Sequence, residues 1–177
     1  IYWHKGNAVA DEKQYLQMCA YKTGALARMS ARLAANFAGA GSDETEALGK
    51  YAEAIGVAFQ IQDDVLNLEG EEEKYGKEIG GDISEGKQTL IRIHALNHLA
   101  PVKATRLQEI LASHSKEERV IREAIAIIKQ TDALDYAKKF SRKLVQDAWG
   151  GVNGMLKESK AKQELKAFAD YLVERKL

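Results

Sequence analysis

A single proline, Pro101, interrupts 177 residues, and apolar residues recur every three or four positions along nearly the whole chain. That spacing is the period of one face of a helix, and no stretch shows the alternation of a half-buried strand. Proline breaks helices by removing a backbone donor, so its near absence leaves little but helix for this chain to form. The chain is read as all-α. From Tyr15 the stripe runs Tyr15, Met18, Lys22, Leu26, Met29, Leu33, Phe37 and is expected to face inward, with Asp11 as N-cap and Gly39 and Gly41 ending the helix. The next helix should start at Ser42 or Asp43, with Glu46 completing a capping box to Asp43. It carries Leu48, Tyr51, Ile55, Phe59, Gln62 and Leu66 and stops at Gly70. After a polar loop over 69–85, helices are predicted at 87–99 and 102–112. Another, capped by Ser115 with Glu118, runs to 130. A long segment over 132–156 is interrupted at Gly150-Gly151, and a last helix covers 160–175.

Composition excludes several function classes. Lys plus Arg equals Asp plus Glu at 26 each, so no overall field draws nucleic acid or a membrane surface. At 45% hydrophobic, residues 1–177 can bury a real core and are expected to form one domain. The one cysteine, Cys19, allows no internal disulfide and fits a reducing compartment, so a cytoplasmic location is expected. No apolar run approaches the roughly 18 residues of a transmembrane helix, and no secretory leader is visible. The chain begins at Ile1 rather than methionine, so a further N-terminal piece is expected.

One segment is hard to explain by folding alone. Asp63 and Asp64 are adjacent at the C-terminal end of an apolar helix. There they repel each other and face an unfavourable helix dipole. Phe59 with Asp63, Gln60 with Asp64 and Asp63 with Asn67 are i, i+4 pairs, which share a helix face. Carboxylates one turn apart offer oxygens to a hard cation such as Mg²⁺, which takes one or two carboxylates, waters and substrate phosphates. A glycine-rich stretch follows, with Gly76-Lys77, Gly81-Asp82 and Gly86-Lys87-Gln88-Thr89. Glycines let backbone N–H groups approach an anion, and the lysines supply positive charge. Upstream, Lys22 lies on the apolar stripe, so it either snorkels to the surface or faces a cavity holding an anion. Two solvated acids beside a loop is the plain alternative for Asp63 and Asp64. His94 and His98 are i, i+4 but lack a third zinc ligand. Cys19 reads as a buried small hydrophobe, and Trp3 and Trp149 as packing residues.

Phe59-Gln60-Ile61-Gln62-Asp63-Asp64-Val65-Leu66-Asn67, with Gly76-Lys77, Gly81-Asp82 and Gly86-Lys87-Gln88-Thr89, closely resembles the second aspartate-rich region of the trans-isoprenyl diphosphate synthases. Tyr21-Lys22-Thr23-Gly24 resembles that family's lysine-threonine helix. The resemblance covers residues 2–90 with specific motifs. It implies a helical bundle of the isoprenoid synthase type, here lacking its N-terminal helices, and a prenyltransferase that joins an allylic diphosphate to isopentenyl diphosphate. It further implies Mg²⁺ held by Asp63, Asp64 and Asn67, and catalytic roles for Lys22, Thr23, Gln60 and Asp63. Lys22, Thr23, Phe59, Gln60, Lys77 and Lys87 would bind substrate. A homodimer and a short product, geranylgeranyl or farnesyl diphosphate, are implied too. The sequence departs from the family pattern at Asn67, where a third aspartate is usual, and the family's first aspartate motif is not among these residues. The chain alone is therefore expected to be catalytically incomplete. A terpene cyclase, a non-catalytic partner subunit and a plain helical scaffold are the alternatives.

Overall fold

The computed structural model describes residues 10–69 and 79–174. All regular structure among them is helical: α1 (Glu12–Cys19), a π-helical turn (Ala20–Gly24), α2 (Ala25–Phe37), α3 (Ser42–Glu69), α4 (Gly81–Ser84), α5 (Leu90–His98), α6 (Pro101–Ser113), α7 (Glu118–Ile128), α8 (Ala133–Asn153) and α9 (Lys160–Glu174). No helix among the described residues is long and apolar enough to cross a membrane. By its contacts the chain divides into two compact units whose segments interleave. One contains residues up to Tyr15 and 63–138, the other residues 16–62 and 139–175.

Asp11 caps α1 as expected, and reciprocally. The Gln14 amide donates to Asp11 Oδ1 at 2.7 Å, while the Asp11 amide donates to Gln14 Oε1 at 3.0 Å. At the far end of α2, the Ala40 amide reaches Ala35 O and the Gly39 amide reaches Asn36 O, each at 3.0 Å. With Gly39 at φ +78°, this is a Schellman C-cap.

Between these caps the expected inward stripe fails. Tyr15 is buried, but Leu26, Met29, Leu33 and Phe37 are exposed, Phe37 at 90%. The π turn is the cause. An i→i+5 turn takes up one extra residue and so rotates every later side chain by about one helical position. The buried line goes from Tyr15 to Cys19, then jumps five positions (24 − 19) to Gly24 and continues to Ala35. A constant helical period cannot foresee that jump.

Three other expectations are corrected. Glu46 accepts from Arg28 at 2.7 Å instead of closing a capping box with Asp43. Ser115 accepts from the Glu117 amide at 3.1 Å, a local turn, and the N-cap of α7 is Glu117 with no side-chain cap. Finally, α8 runs unbroken through Gly150 and Gly151. Neither glycine faces a neighbour within 4 Å, and burial of Val145 and Val152 on the other side keeps the helix in place.

The unit containing 16–62 and 139–175 has a core of Tyr51, Ile55, Ala58, Val145, Val152, Ala169 and Val173. Tyr51 meets Trp149 with ring centroids 5.2 Å apart. Near the chain's end, the buried Lys162 ammonium donates to Asn153 O at 2.8 Å and Leu156 O at 3.1 Å, which satisfies carbonyls at the C-terminus of α8. In the other unit α4 and α5 each contact α6 and α7, and α6 contacts α7. Leu107 and Leu111 of α6 and Ile121, Ala124 and Ile128 of α7 are buried there.

Burial, with the negative charge of Asp170, pushes the Tyr51 phenol up to about 12. A phenol whose folded pKa is raised adds stability that is complete below its unfolded value near 10 and is lost as pH rises towards about 12. The folded wild type should therefore lose about 1–3 kcal/mol more stability between pH 9 and 11.5 than Tyr51→Phe. Urea melts of both proteins across that range check it.

Candidate active site

Residues 54–58 and 64–68 of α3 are buried, while Phe59, Gln60 and Asp63 between them are half-buried. The aspartate pair falls in this part of the helix. Asp63 is half-buried, whereas Asp64 is 5% exposed. A buried carboxylate is costly unless it is hydrogen-bonded, and Asp64 has such a partner in Tyr15, itself 1% exposed. The Tyr15 hydroxyl donates to Asp64 Oδ2 at 2.6 Å, in the range of a charge-assisted O–H···O⁻ bond.

Asn67, one turn on, is also buried, and it holds the return of the loop. Its Oδ1 accepts from the Asp82 amide at 3.0 Å, and its backbone carbonyl accepts from the Gly80 amide at 2.8 Å. Gly80 sits at φ +77°, and a Cβ there would come within 2.2 Å of Ile121 Cγ2, so only glycine fits this return. Asn67 thus spends a lone pair on the chain itself, a use the sequence spacing did not reveal.

The loop delivers Asp82 and Lys87 to the same place. The Lys87 ammonium bonds to Asp82 Oδ1 and lies 3.1 Å from Glu85. Burial works to lower the Lys87 pKa, but the bonds from Asp82 and Glu85 outweigh it and raise it above the ordinary lysine value. Lys87 therefore stays an ammonium. Asp82 is pushed up by burial, against the pull of Lys87, and the like charges of Glu85 and Asp63 add to the rise. Arg92 on α5 ties the turn down from below by donating to Gly86 O at 2.8 Å. Thr89, the N-cap of α5, accepts from the Arg92 amide at 3.2 Å. Asp64, Asp82, Lys87, Thr89 and Arg92 surround a cavity of about 10 Å³, room for about one water molecule.

Of the other expected site residues, Thr23 lies in the π turn and Gln60 on α3. The Thr23 hydroxyl donates to Gln60 Oε1 at 3.5 Å. The two helices approach at glycines, since a Cβ on Gly56 would stand 2.9 Å from Gly24 Cα and 3.3 Å from Thr23 O. π turns recur at functional sites because they re-aim side chains and free a carbonyl. Lys22, in the same turn, is exposed, and Phe59 is half-buried. Lys22, Thr23, Phe59 and Gln60 belong to one compact unit, and Asp63, Asp64, Asn67 and Lys87 to the other. Lys77 lies outside the described residues. Sequence reading missed Tyr15 and Arg92 and did not place Asp82 in the site. Tyr15 gave no signal beyond its place on an apolar stripe.

His94 and His98 do not form a metal centre. Their rings stack at 4.0 Å, His94 stacks on Tyr136 at 4.1 Å, and His94 Nε2 is bonded to Asp132 at 2.8 Å. Among the described residues no group of three His, Cys, Asp or Glu side chains could hold a metal unaided.

Residues 1–128 match the polyprenyl synthetase family. This chain is a polyprenyl synthetase family member. A short chain isoprenyl diphosphate synthase of Methanocaldococcus jannaschii is 48% identical over 126 residues, 71% of this chain and 38% of that protein. A geranylfarnesyl diphosphate synthase of Aeropyrum pernix is 35% identical over 93% of this chain and 51% of its own length. Among solved structures, the geranylgeranyl pyrophosphate synthetase of Pyrococcus horikoshii superposes with TM-score 0.86 at 32% identity, covering 98% of this chain and 52% of that one. A polyprenyl synthase of Caulobacter crescentus, complexed with calcium and isoprenyl diphosphate, gives TM-score 0.87 at 28% identity over 94% of this chain and 51% of that chain. The chain thus spans about half the length of most of these relatives, and the fold is the all-helical one of the isoprenyl synthases.

The Asn67 anchor is open to direct test. Asn67→Ala leaves the Asp82 amide without its acceptor and should cost about 1–2 kcal/mol. Hydrogen exchange at the Asp82 amide should accelerate with it. Unchanged exchange in Asn67→Ala would show that the loop is held by other contacts.

Proposed function

We propose that the protein to which this chain belongs is a prenyltransferase that condenses an allylic diphosphate with isopentenyl diphosphate. The observation that carries this reading is the acidic pair of α3, whose buried member Asp64 lines one small cavity with Lys87, in a chain of this family. The short chain synthase that is 48% identical favours a short product, of the geranylgeranyl or farnesyl class.

The donor set fits Mg²⁺. The Asp63 and Asp64 carboxylates are hard ligands, whereas the Asn67 oxygen serves the loop. In this reading Asn67 contributes through the turn it anchors and not as a direct ligand. Mg²⁺, when bound, neutralises the negative charge that gathers on the departing pyrophosphate. The protein's own part is positional. Lys22, Lys77 and Lys87 are the ammonium groups for the diphosphate oxygens, Lys87 exchanging Asp82 for substrate. As the allylic C–O bond breaks, its electron pair leaves with the pyrophosphate. The double bond of isopentenyl diphosphate then supplies the pair for the new C–C bond, and loss of a proton restores an alkene. Thr23 and Gln60 offer oxygen lone pairs and Phe59 a π face to the transient cation. A homodimer and a cytoplasmic location complete the reading, the latter consistent with a lone, buried Cys19.

Inorganic pyrophosphate with Mg²⁺ should protect the 177-residue chain against thermal unfolding. The gain is about 2.7 kcal/mol at a hundredfold excess over Kd, since a ligand that binds only the folded state stabilises it by mass action. Neither component alone should give this shift, and Asp63→Asn should abolish it. Equal protection in Asp63→Asn would refute the assignment of the metal to this pair.

A further inference from the structure

The Lys87 ammonium is held by Asp82 and Glu85, and both acids belong to its own turn. They fix the amine within the turn, but they do not fix the turn within the protein. Ties to other elements do that. Asn67 holds the start of the turn, at the Gly80 and Asp82 amides. Near its middle, His114 Nδ1 bonds to Ser84 O at 3.2 Å. Arg92 holds its end, where Nη1 donates to Gly86 O at 2.8 Å and to Lys87 O at 3.4 Å. Of these, Arg92 alone grips the residue that carries the amine, through the two carbonyls that flank the Lys87 α-carbon. Gly86 is hemmed in as well. It stands at φ +64°, and a Cβ there would come within 2.7 Å of the His114 ring.

An arginine is an unfavourable way to make such a tie. Its side chain is half-buried, its Nε is buried without a partner, and burial pulls its pKa down. Among the described residues its guanidinium bonds only to those two carbonyls. A charge taken from water with no acid to offset it opposes folding, and such local conflicts collect at functional sites.

Resting on the metal–diphosphate reading above, we infer that Arg92 is a positioning residue that acts through Lys87, fixing the backbone from which its ammonium reaches the diphosphate. A lysine stem is long and flexible, so its ammonium is aimed only as well as its α-carbon is held. With that backbone fixed, Lys87 exchanges Asp82 for a diphosphate oxygen by turning its stem alone. A merely structural arginine would lower stability and leave affinity, measured below the melt, unchanged. A nearby charge would favour the anion whether or not Lys87 is present. A positioning arginine matters only while Lys87 is there.

The test is a double-mutant cycle, which isolates the coupling of two residues. Inorganic pyrophosphate is titrated by calorimetry into the 177-residue chain in excess Mg²⁺, below the melting transition of each variant. The proteins are wild type, Arg92→Met, Lys87→Gln and the double variant. Arg106→Met serves as the control, since that guanidinium pairs with Glu123 on the exposed surface. Arg92→Met should lose roughly 10-fold in pyrophosphate affinity, the scale of one hydrogen bond made by a charged group. The double variant should match Lys87→Gln, and Arg106→Met should match wild type. Wild type that binds no pyrophosphate would overturn the metal–diphosphate reading and this inference with it. Binding as tight in Lys87→Gln as in wild type would leave that reading standing and overturn the inference. So would an Arg92→Met loss that is absent, or that is equal in both Lys87 backgrounds. Should Arg92→Met not fold by circular dichroism, Arg92→Gln takes its place in the cycle, with the same outcomes expected and the same ones contradicting.

Discussion

Placing an acid, Asp64, in the continuously buried stretch 64–68 of α3 is the constraint on which this structure turns. Most helices of a small protein keep one wet side where charges can sit, and residues 64–68 of α3 have none. Folding therefore has to supply Asp64 with a partner as buried as itself, or else leave a carboxylate without water or compensation. The Tyr15 phenol meets that need at 2.6 Å. The neighbouring Asp63 stays half in solvent, so two adjacent acids have different surroundings and different freedom. Such asymmetry is of no evident use to packing. It is what a cation site needs if one ligand is to be rigid and the other accessible.

The loop beyond α3 is organised by the same helix. Asn67 grips the chain at Gly80 and Asp82, Asp82 engages Lys87, and Arg92 closes the turn beneath Lys87. Each link is a hydrogen bond to a group that is buried or half-buried, so the basic side chain reaches the acidic end of α3 in a defined position. The Lys87 amine is not idle in the meantime. Its bond to Asp82 compensates the burial of both groups, and a diphosphate would replace one set of anionic oxygens with another.

Much of this could be seen in the residues themselves. The scarcity of proline and the helical spacing specify an all-α chain, and the Asp63-Asp64 and Gly-Lys elements mark the candidate site. What escaped has identifiable physical causes. One residue taken up by the π turn at Ala20–Gly24 moves Leu26, Met29, Leu33 and Phe37 outward, because a constant helical period does not hold across that turn. Gly24 of the π turn and Gly56 of α3, which approach closely, mark instead the face that packs. Gly150 and Gly151 look like a break, yet flanking burial holds the helix through them. Asn67 resembles a weakened metal ligand when only its spacing is considered, and its hydrogen bonds give it a different task. Tyr15 could not be found at all, since a partner 49 residues away leaves no local pattern.

Diffraction at the manganese edge, from crystals of the chain grown with Mn²⁺ and inorganic pyrophosphate, examines the central claim with the least inference. The account predicts an anomalous peak within bonding distance of one Asp63 oxygen and one Asp64 oxygen, with pyrophosphate completing the shell. Manganese bound elsewhere, or pyrophosphate held without any ion on these two carboxylates, would contradict it.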